Sequence, residues 1–106
     1  MNPLGGNNQV VGGVIDGVGH AMYGEFEFRK GSPRAKNFNR YKLIRMDQSP
    51  KVDVHFINSD HSPTGLGEPS LPPVGAAVAN PIYKATGYRL MNQPFVEELK
   101  LKKVLG

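Results

Sequence analysis

Near the N-terminus, apolar residues recur at spacings of three and four from Val11 through Met22. This periodicity predicts an amphipathic helix. The preceding residues 2–8 (NPLGGNN) have the composition of a turn, and Asn7 or Asn8 is expected to cap the helix.

Four glycines, at positions 12, 13, 17 and 19, fall inside this predicted helix. Each costs up to about 1 kcal/mol relative to alanine. Gln9, Gly13 and Gly17 lie four residues apart, so one flank of the helix has almost no side-chain bulk. A neighbouring backbone or a ligand can approach closely there, with Gln9 near the positive helix end. On the spacing alone, tight packing against another segment is the better explanation.

Two later segments alternate between polar and apolar residues, namely residues 25–29 (EFEFR) and 51–58 (KVDVHFIN). Each predicts a half-buried strand, and the second has Val52, Val54 and Phe56 on one face. A further extended stretch is predicted around residues 39–46.

Residues 74–86 carry apolar side chains at helical spacing. Pro73 suits the first turn of this helix and Gly87 its C-terminal stop. Pro81 lies within the pattern, and because it lacks an amide donor it is expected to kink or split the helix.

The order of helix, strands, long loop and helix predicts an α+β fold: a small mixed sheet with an N-terminal glycine-rich helix and a C-terminal helix. These two helices are expected to cover one face of the sheet. With 106 residues the chain is one domain at most, or a piece of a larger domain. Residues 97–106 form a short amphipathic tail.

The composition narrows the chemistry. There is no cysteine, which excludes disulfides, thiolate-bound metals and iron–sulfur clusters held by this chain. The three histidines show no metal-ligand spacing, so no metal site is expected. No apolar run approaches the roughly 20 residues that a membrane span requires.

The net charge is +4, and seven of the thirteen basic residues lie in residues 29–45, without an acidic residue among them. Phe38 and Tyr41 lie within this basic stretch, and basic and aromatic residues together are typical of nucleic-acid binding. No groove-reading or base-stacking motif accompanies them. A solvated surface, or a surface facing another part of a larger protein, is therefore the better explanation.

Residues 65–73 (GLGEPSLPP) place one carboxylate, Glu68, among glycines and prolines. Pro69 disfavours the α conformation at Glu68, while Gly65 and Gly67 permit turns that other residues resist. A loop built in this way orients its carboxylate well for acid–base chemistry. From composition alone, a solvated loop glutamate remains the better interpretation.

Three motifs, taken in sequence order, favour a functional role for Glu68 over a solvated loop glutamate. They are NPLGGNNQVVGGVIDGVGHAMYGE, NFNRYKLIRMDQSPKVDVHFINSDHSPTGLGEPSLPP and GLGEPSLPPVGAAVAN…IYKATGYRL. Together they resemble the C-terminal segment of the molybdenum-binding subunit of the xanthine oxidase and aldehyde oxidase family. The middle motif is most similar to the isoquinoline 1-oxidoreductase β-subunit branch. The resemblance runs from Asn2 to about Phe95.

This resemblance implies a role for three residues. Glu68 matches the general base beside the molybdenum, Gly67 matches the glycine before it, and Gln9 matches a glutamine that contacts the pterin. Gln9 and Gly67 are therefore the expected cofactor-binding residues. The implied reaction is hydroxylation of an N-heterocycle or an aldehyde with oxygen from water. The implied cofactor is molybdopterin, in its cytosine dinucleotide form and held mainly by the parent subunit. Expected partners are the rest of that subunit and a small iron–sulfur subunit, but not nucleic acid.

The resemblance also predicts that residues 1–95 are the C-terminal segment of a molybdopterin-binding domain and residues 96–106 a C-terminal tail. The chain is far shorter than the family's large subunit, so it is expected to be a fragment that is inactive alone. Two alternatives stay open: a non-catalytic structural or assembly module, and a basic nucleic-acid-binding domain. Cytoplasmic and periplasmic locations are both compatible.

Overall fold

The first helix, α1, spans Pro3–Tyr23 in a computed structural model that describes residues 2–105. Its cap is Asn2, whose Oδ1 accepts hydrogen bonds from the amides of Leu4 at 3.1 Å and Gly5 at 3.4 Å. The prediction of Asn7 or Asn8 as the cap was therefore wrong. Pro3 occupies the first helical position, where its fixed φ angle and missing amide suit a helix start.

A short hairpin replaces the predicted sheet. Strand β1 is Phe28–Arg29 and β2 is Ser32–Pro33, and they pair antiparallel. The intervening Lys30 and Gly31 both have positive φ, at 51° and 76°, as a tight hairpin turn of the mirror-image type requires. The expectation of a small mixed sheet was wrong, because only this two-stranded ribbon forms within residues 2–105.

Residues 51–58 show which part of the strand prediction was right. Val52, Val54 and Phe56 are partly buried, while Asp53 and His55 are exposed, as the alternation predicted. No strand forms there, however, because no neighbouring segment in the described chain supplies a hydrogen-bonding partner. Residues 39–46 likewise form no strand and lead into a short 3₁₀ helix at Met46–Gln48.

The second helix, α2, spans Val74–Thr86, as predicted. Gly87 ends it in the left-handed conformation with φ 75°, and its amide donates to the carbonyl of Tyr83 at 2.8 Å. The helix continues through Pro81, so the expected split does not occur. Pro81 is exposed, which leaves room for its ring on the outer side of the helix.

The third helix, α3, spans Phe95–Leu101 and lies largely within the predicted tail. Its Glu98 carboxylate accepts hydrogen bonds from the amides of Met91 at 3.1 Å and Asn92 at 2.9 Å. These bonds hold the connection from α2 against the start of α3. The division into residues 1–95 and 96–106 remains a prediction.

The core lies where the three helices meet. Ala21 of α1, Phe95 and Leu99 of α3, and Leu90 between α2 and α3 are all buried. The first and last helices therefore pack on other helices rather than on a sheet, contrary to the prediction. None of the described helices combines the length and apolarity needed to cross a lipid bilayer.

Candidate functional site

The loop that carries Glu68 consists of two consecutive turns. The amide of Leu71 donates to the carbonyl of Glu68 at 3.0 Å, and the amide of Val74 donates to the carbonyl of Leu71 at 3.2 Å. Pro69 and Pro72 each occupy the second position of a turn, where the φ angle of proline is favoured. The loop thus passes directly into α2 along a fixed path.

The glycine flank of α1 supports this loop. A Cβ atom added to Gly17 would lie 2.8 Å from Val74 Cβ and 3.2 Å from the carbonyl oxygen of Leu71. A Cβ atom on Gly13 would collide with Ser70 Oγ. The space at these two glycines is filled by the chain's own backbone and side chains, so tight packing explains them.

Ser70 was not singled out by the sequence analysis. Its hydroxyl oxygen is buried and has no hydrogen-bond partner within residues 2–105. The oxygen occupies the position that a side chain on Gly13 would need. Two features of the sequence could have pointed to this contact: a small polar residue in the loop, and a helix flank without side chains against which it could pack.

Glu68 and Gly67 lie on the outer side of this loop, and both are exposed. The Gly67 carbonyl oxygen would be 3.8 Å from a Cβ atom on Gly13, so it too faces the helix. Within residues 2–105, the Glu68 carboxylate makes no ion pair or hydrogen bond. The backbone at position 68 is therefore held against α1, while the side chain is free to meet a group outside this chain.

Gln9 lies in an open cleft of about 830 Å³ between the first turns of α1 and residues 56–59 and 61–66. Its exposed side chain lines the cleft together with Gly5 and Gly6 of α1. Glu68 does not line it. The structure thus brings Gln9 and the approach to the Glu68 loop to one side of α1, but it does not bring Gln9 and Glu68 into one enclosed site.

Comparison with known proteins shows which family this part of the chain resembles. Residues 1–50 match a molybdopterin cofactor-binding domain, and this part of the chain contains α1 and Gln9 but not Glu68. Helix α1 with its glycine flank thus lies within the part of the chain that matches a cofactor-binding domain.

Three relatives extend the similarity beyond residue 50. A membrane-bound aldehyde dehydrogenase [pyrroloquinoline-quinone] of Gluconacetobacter polyoxogenes is 34% identical over 89% of this chain. Isoquinoline 1-oxidoreductase subunit beta of Brevundimonas diminuta is 31% identical over 92% of it. A xanthine dehydrogenase molybdenum-binding subunit of Escherichia coli O157:H7 is 36% identical over 89% of it. The chain covers 12, 12 and 13% of these relatives, about an eighth of their length.

The chain is homologous to the molybdopterin cofactor-binding domain of molybdenum-binding subunits in the xanthine dehydrogenase and aldehyde oxidoreductase family. The three relatives differ in the substrates they are named for, and one name specifies pyrroloquinoline quinone. These matches therefore do not resolve the isoquinoline branch that the middle motif suggested.

The residues present fit one side of a site for this cofactor. The cleft at the start of α1 is lined by glycine backbone and by the amide side chain of Gln9. Nothing lies within 4 Å of the position of a Cβ atom on Gly12, so the helix also leaves open space close to Gln9. The side-chain amide of Gln9 can donate and accept hydrogen bonds, as the polar edge of a pterin requires. Gln9 is the seventh residue of α1, and the amides of the first turn are already bonded to Asn2, so the expected contribution of the positive helix end is wrong.

Proposed function

We propose that this chain is part of the molybdenum-binding subunit of a molybdenum hydroxylase, with Glu68 as its general base and Gln9 as a contact to the pterin. The substrate is an N-heterocycle or an aldehyde, and water supplies the oxygen. The observation that carries the proposal is the docking of the Glu68 loop on the glycine flank of α1, with the Glu68 carboxylate exposed and without an ion-pair or hydrogen-bond partner among residues 2–105.

Each residue has a separate task. When bound, the molybdopterin cofactor supplies the redox chemistry of the hydroxylation. Glu68 accepts a proton at a carboxylate oxygen, which requires it to lie within hydrogen-bonding reach of the group that loses the proton. Gln9 orients the pterin through its side-chain amide, and Gly67, where an added Cβ atom would meet nothing within 4 Å, is the second contact to the cofactor.

The surface of the chain supports its place in a larger subunit. The chain exposes 8485 Å², whereas a compact protein of 11.6 kDa exposes about 5,800 Å². Its radius of gyration is 16.6 Å, whereas about 13 Å is typical of a compact domain of this length. The difference between the two exposed areas is larger than the roughly 800 Å² that each partner buries in a standard interface. The chain therefore exposes enough surface to contact another part of a larger subunit.

The proposed partners follow from the exposed surface together with the family resemblance. We propose that the remaining part of the molybdenum-binding subunit covers this surface and holds most of the cofactor, in its cytosine dinucleotide form. The name of the Brevundimonas relative designates it a subunit, which supports a multi-subunit assembly. A small iron–sulfur subunit is the proposed electron acceptor, as the resemblance to molybdenum-binding subunits implies.

Replacing Glu68 by glutamine in the intact subunit tests the proposed base. The substituted amide keeps the size of the side chain but cannot accept the proton, so we expect kcat to fall by about 10²–10⁴-fold at unchanged molybdenum content. The matched control is Glu97→Gln on α3, where an exposed carboxylate pairs only with Lys100 in the described chain. Turnover close to that of the unmodified enzyme, with molybdenum bound, would favour a non-catalytic module instead.

A further inference from the structure

We propose that Gly17 is a positioning residue for Glu68, because the absence of a side chain at Gly17 sets how closely α1 supports the Glu68 loop. The inference rests on the proposed function, because only that function makes the direction of the Glu68 side chain important. The contacts that support it all lie within the chain. Gly17 is buried and lies beside the junction of the loop with α2.

The neighbours of Gly17 cannot move aside by simple rotation. A Cβ atom at this position would lie 2.8 Å from Val74 Cβ and 2.9 Å from Val74 Cγ2. Rotation about χ1 of Val74 moves Cγ2 but leaves Cβ where the backbone places it. The third neighbour, the Leu71 carbonyl oxygen at 3.2 Å, is itself backbone. A side chain at position 17 therefore has to displace the start of α2 and the loop together.

Leu71 transmits this constraint to Glu68. Its amide donates to the Glu68 carbonyl, and its own carbonyl accepts from Val74. Any shift that Gly17 imposes on Leu71 or Val74 must therefore stretch or tilt the turn that carries Glu68. The carboxylate is the exposed end of that turn, so its direction depends on a glycine that it does not touch.

The neighbouring glycines provide a graded comparison within the same helix. The atom that obstructs a side chain at Gly13 is Ser70 Oγ, which can rotate about one bond to another rotamer. At Gly12, no atom lies within 4 Å of the added Cβ. Alanine at positions 17, 13 and 12 should thus disturb the loop strongly, weakly and not at all.

Amide hydrogen exchange of Leu71, measured by NMR on the full 106-residue chain without cofactor, tests this order. We expect Gly17→Ala to raise the exchange rate by at least about tenfold, which corresponds to about 1.4 kcal/mol of opening free energy. Gly13→Ala should have a smaller effect, and Gly12→Ala, the matched control, should not raise the rate, because alanine stabilises an open helical position by up to about 1 kcal/mol. Equal exchange in Gly17→Ala and Gly12→Ala would overturn the proposal.

A compensating substitution separates positioning from a general loss of stability. Val74→Gly removes both Val74 atoms that obstruct position 17 and leaves the Leu71 carbonyl oxygen at 3.2 Å. Adding Gly17→Ala to Val74→Gly should therefore raise the Leu71 exchange rate by a smaller factor than adding it to the original chain. Val74→Ala keeps the Cβ atom at 2.8 Å and should give no such rescue. If Gly17→Ala unfolds the chain, recovery of α1 protection in the double variant supports the proposal, and an unfolded double variant contradicts it.

Activity provides a second readout in the intact subunit. There we expect Gly17→Ala to lower kcat at unchanged KM and molybdenum content, because a displaced base affects the chemical step more than substrate binding. Glu68→Gln should leave Leu71 exchange in the isolated chain unchanged. A failure of the proposed base therefore appears in turnover alone, whereas a failure of the positioning role appears in the exchange rates.

Discussion

At the scale of single residues, a few side chains accept hydrogen bonds from backbone amides and so stabilise the local backbone. Glu98 is the clearest example, since its carboxylate accepts from two consecutive backbone amides, those of Met91 and Asn92. These two hydrogen bonds stabilise the ionised form and hold the pKa of Glu98 below its usual value. The pKa is lower in the folded than in the unfolded chain, so ionisation of Glu98 favours folding.

The sign of this linkage predicts a pH dependence. The contribution of Glu98 is fully present above the pKa of an unfolded glutamate, about 4.3, and is lost as the pH falls through the lower folded value. We therefore expect Glu98→Gln to reduce the free energy of unfolding in urea at pH 7, and the difference to shrink below about pH 4.3. Glu25→Gln, at an exposed position, is the control. A difference that does not change with pH would contradict this account.

Residue-scale features also show what the sequence could predict. The left-handed cap at Gly87 follows from local signals, since a glycine after a periodic apolar segment is sufficient. The occupants of the Gly13 and Gly17 flank lie more than fifty residues away along the chain, at Ser70 and Val74. Spacing revealed the absence of side chains but not the identity of the segment that fills the space.

At the scale of elements, helix prediction was more accurate than strand prediction. The bounds of α2 match the apolar periodicity because the helix satisfies its own backbone hydrogen bonds. A strand needs a partner, and residues 51–58 have the expected alternation of burial without one in the described chain. The start of α1 was misplaced because Pro3 and the Asn2 side chain form a stronger start signal than the later asparagines.

Pro81 gives an element-scale prediction for α2. It is exposed inside a continuous helix and cannot donate the amide hydrogen bond that position 81 would otherwise make to Ala77. We expect Pro81→Ala to raise the free energy of unfolding, by up to about 3 kcal/mol. Urea denaturation of the two chains measures the change. A lower free energy of unfolding in Pro81→Ala would contradict this prediction and would show that the proline ring makes a stabilising contact.

At the scale of the whole molecule, the chain has more surface than its small core explains. Only five hydrophobic residues in the described chain are buried, while Phe28, Phe38, Met46 and Ile57 are each more than half exposed. We propose that the rest of a larger subunit covers these side chains. This agrees with a chain that covers about an eighth of its relatives' length.

Residues 51–58 give the whole-molecule prediction. If the rest of the subunit supplies their missing strand partner, their backbone amides should exchange rapidly in the isolated chain and slowly in the intact subunit. The amides of α1 serve as the control, because α1 satisfies its hydrogen bonds internally. Equally rapid exchange of residues 51–58 in the intact subunit would show that they remain unpaired there.

The central claim is that α1 and its docked loop direct Glu68 toward a cofactor held largely by other parts of the protein. The most direct measurement is a crystal structure of the intact, cofactor-loaded subunit. The account predicts a Glu68 carboxylate oxygen within hydrogen-bonding reach of the molybdenum ligands, about 2.6–3.2 Å or one bridging water away. A Glu68 side chain that faces bulk solvent in that structure, with the molybdenum beyond the reach of any such bridge, would contradict the account.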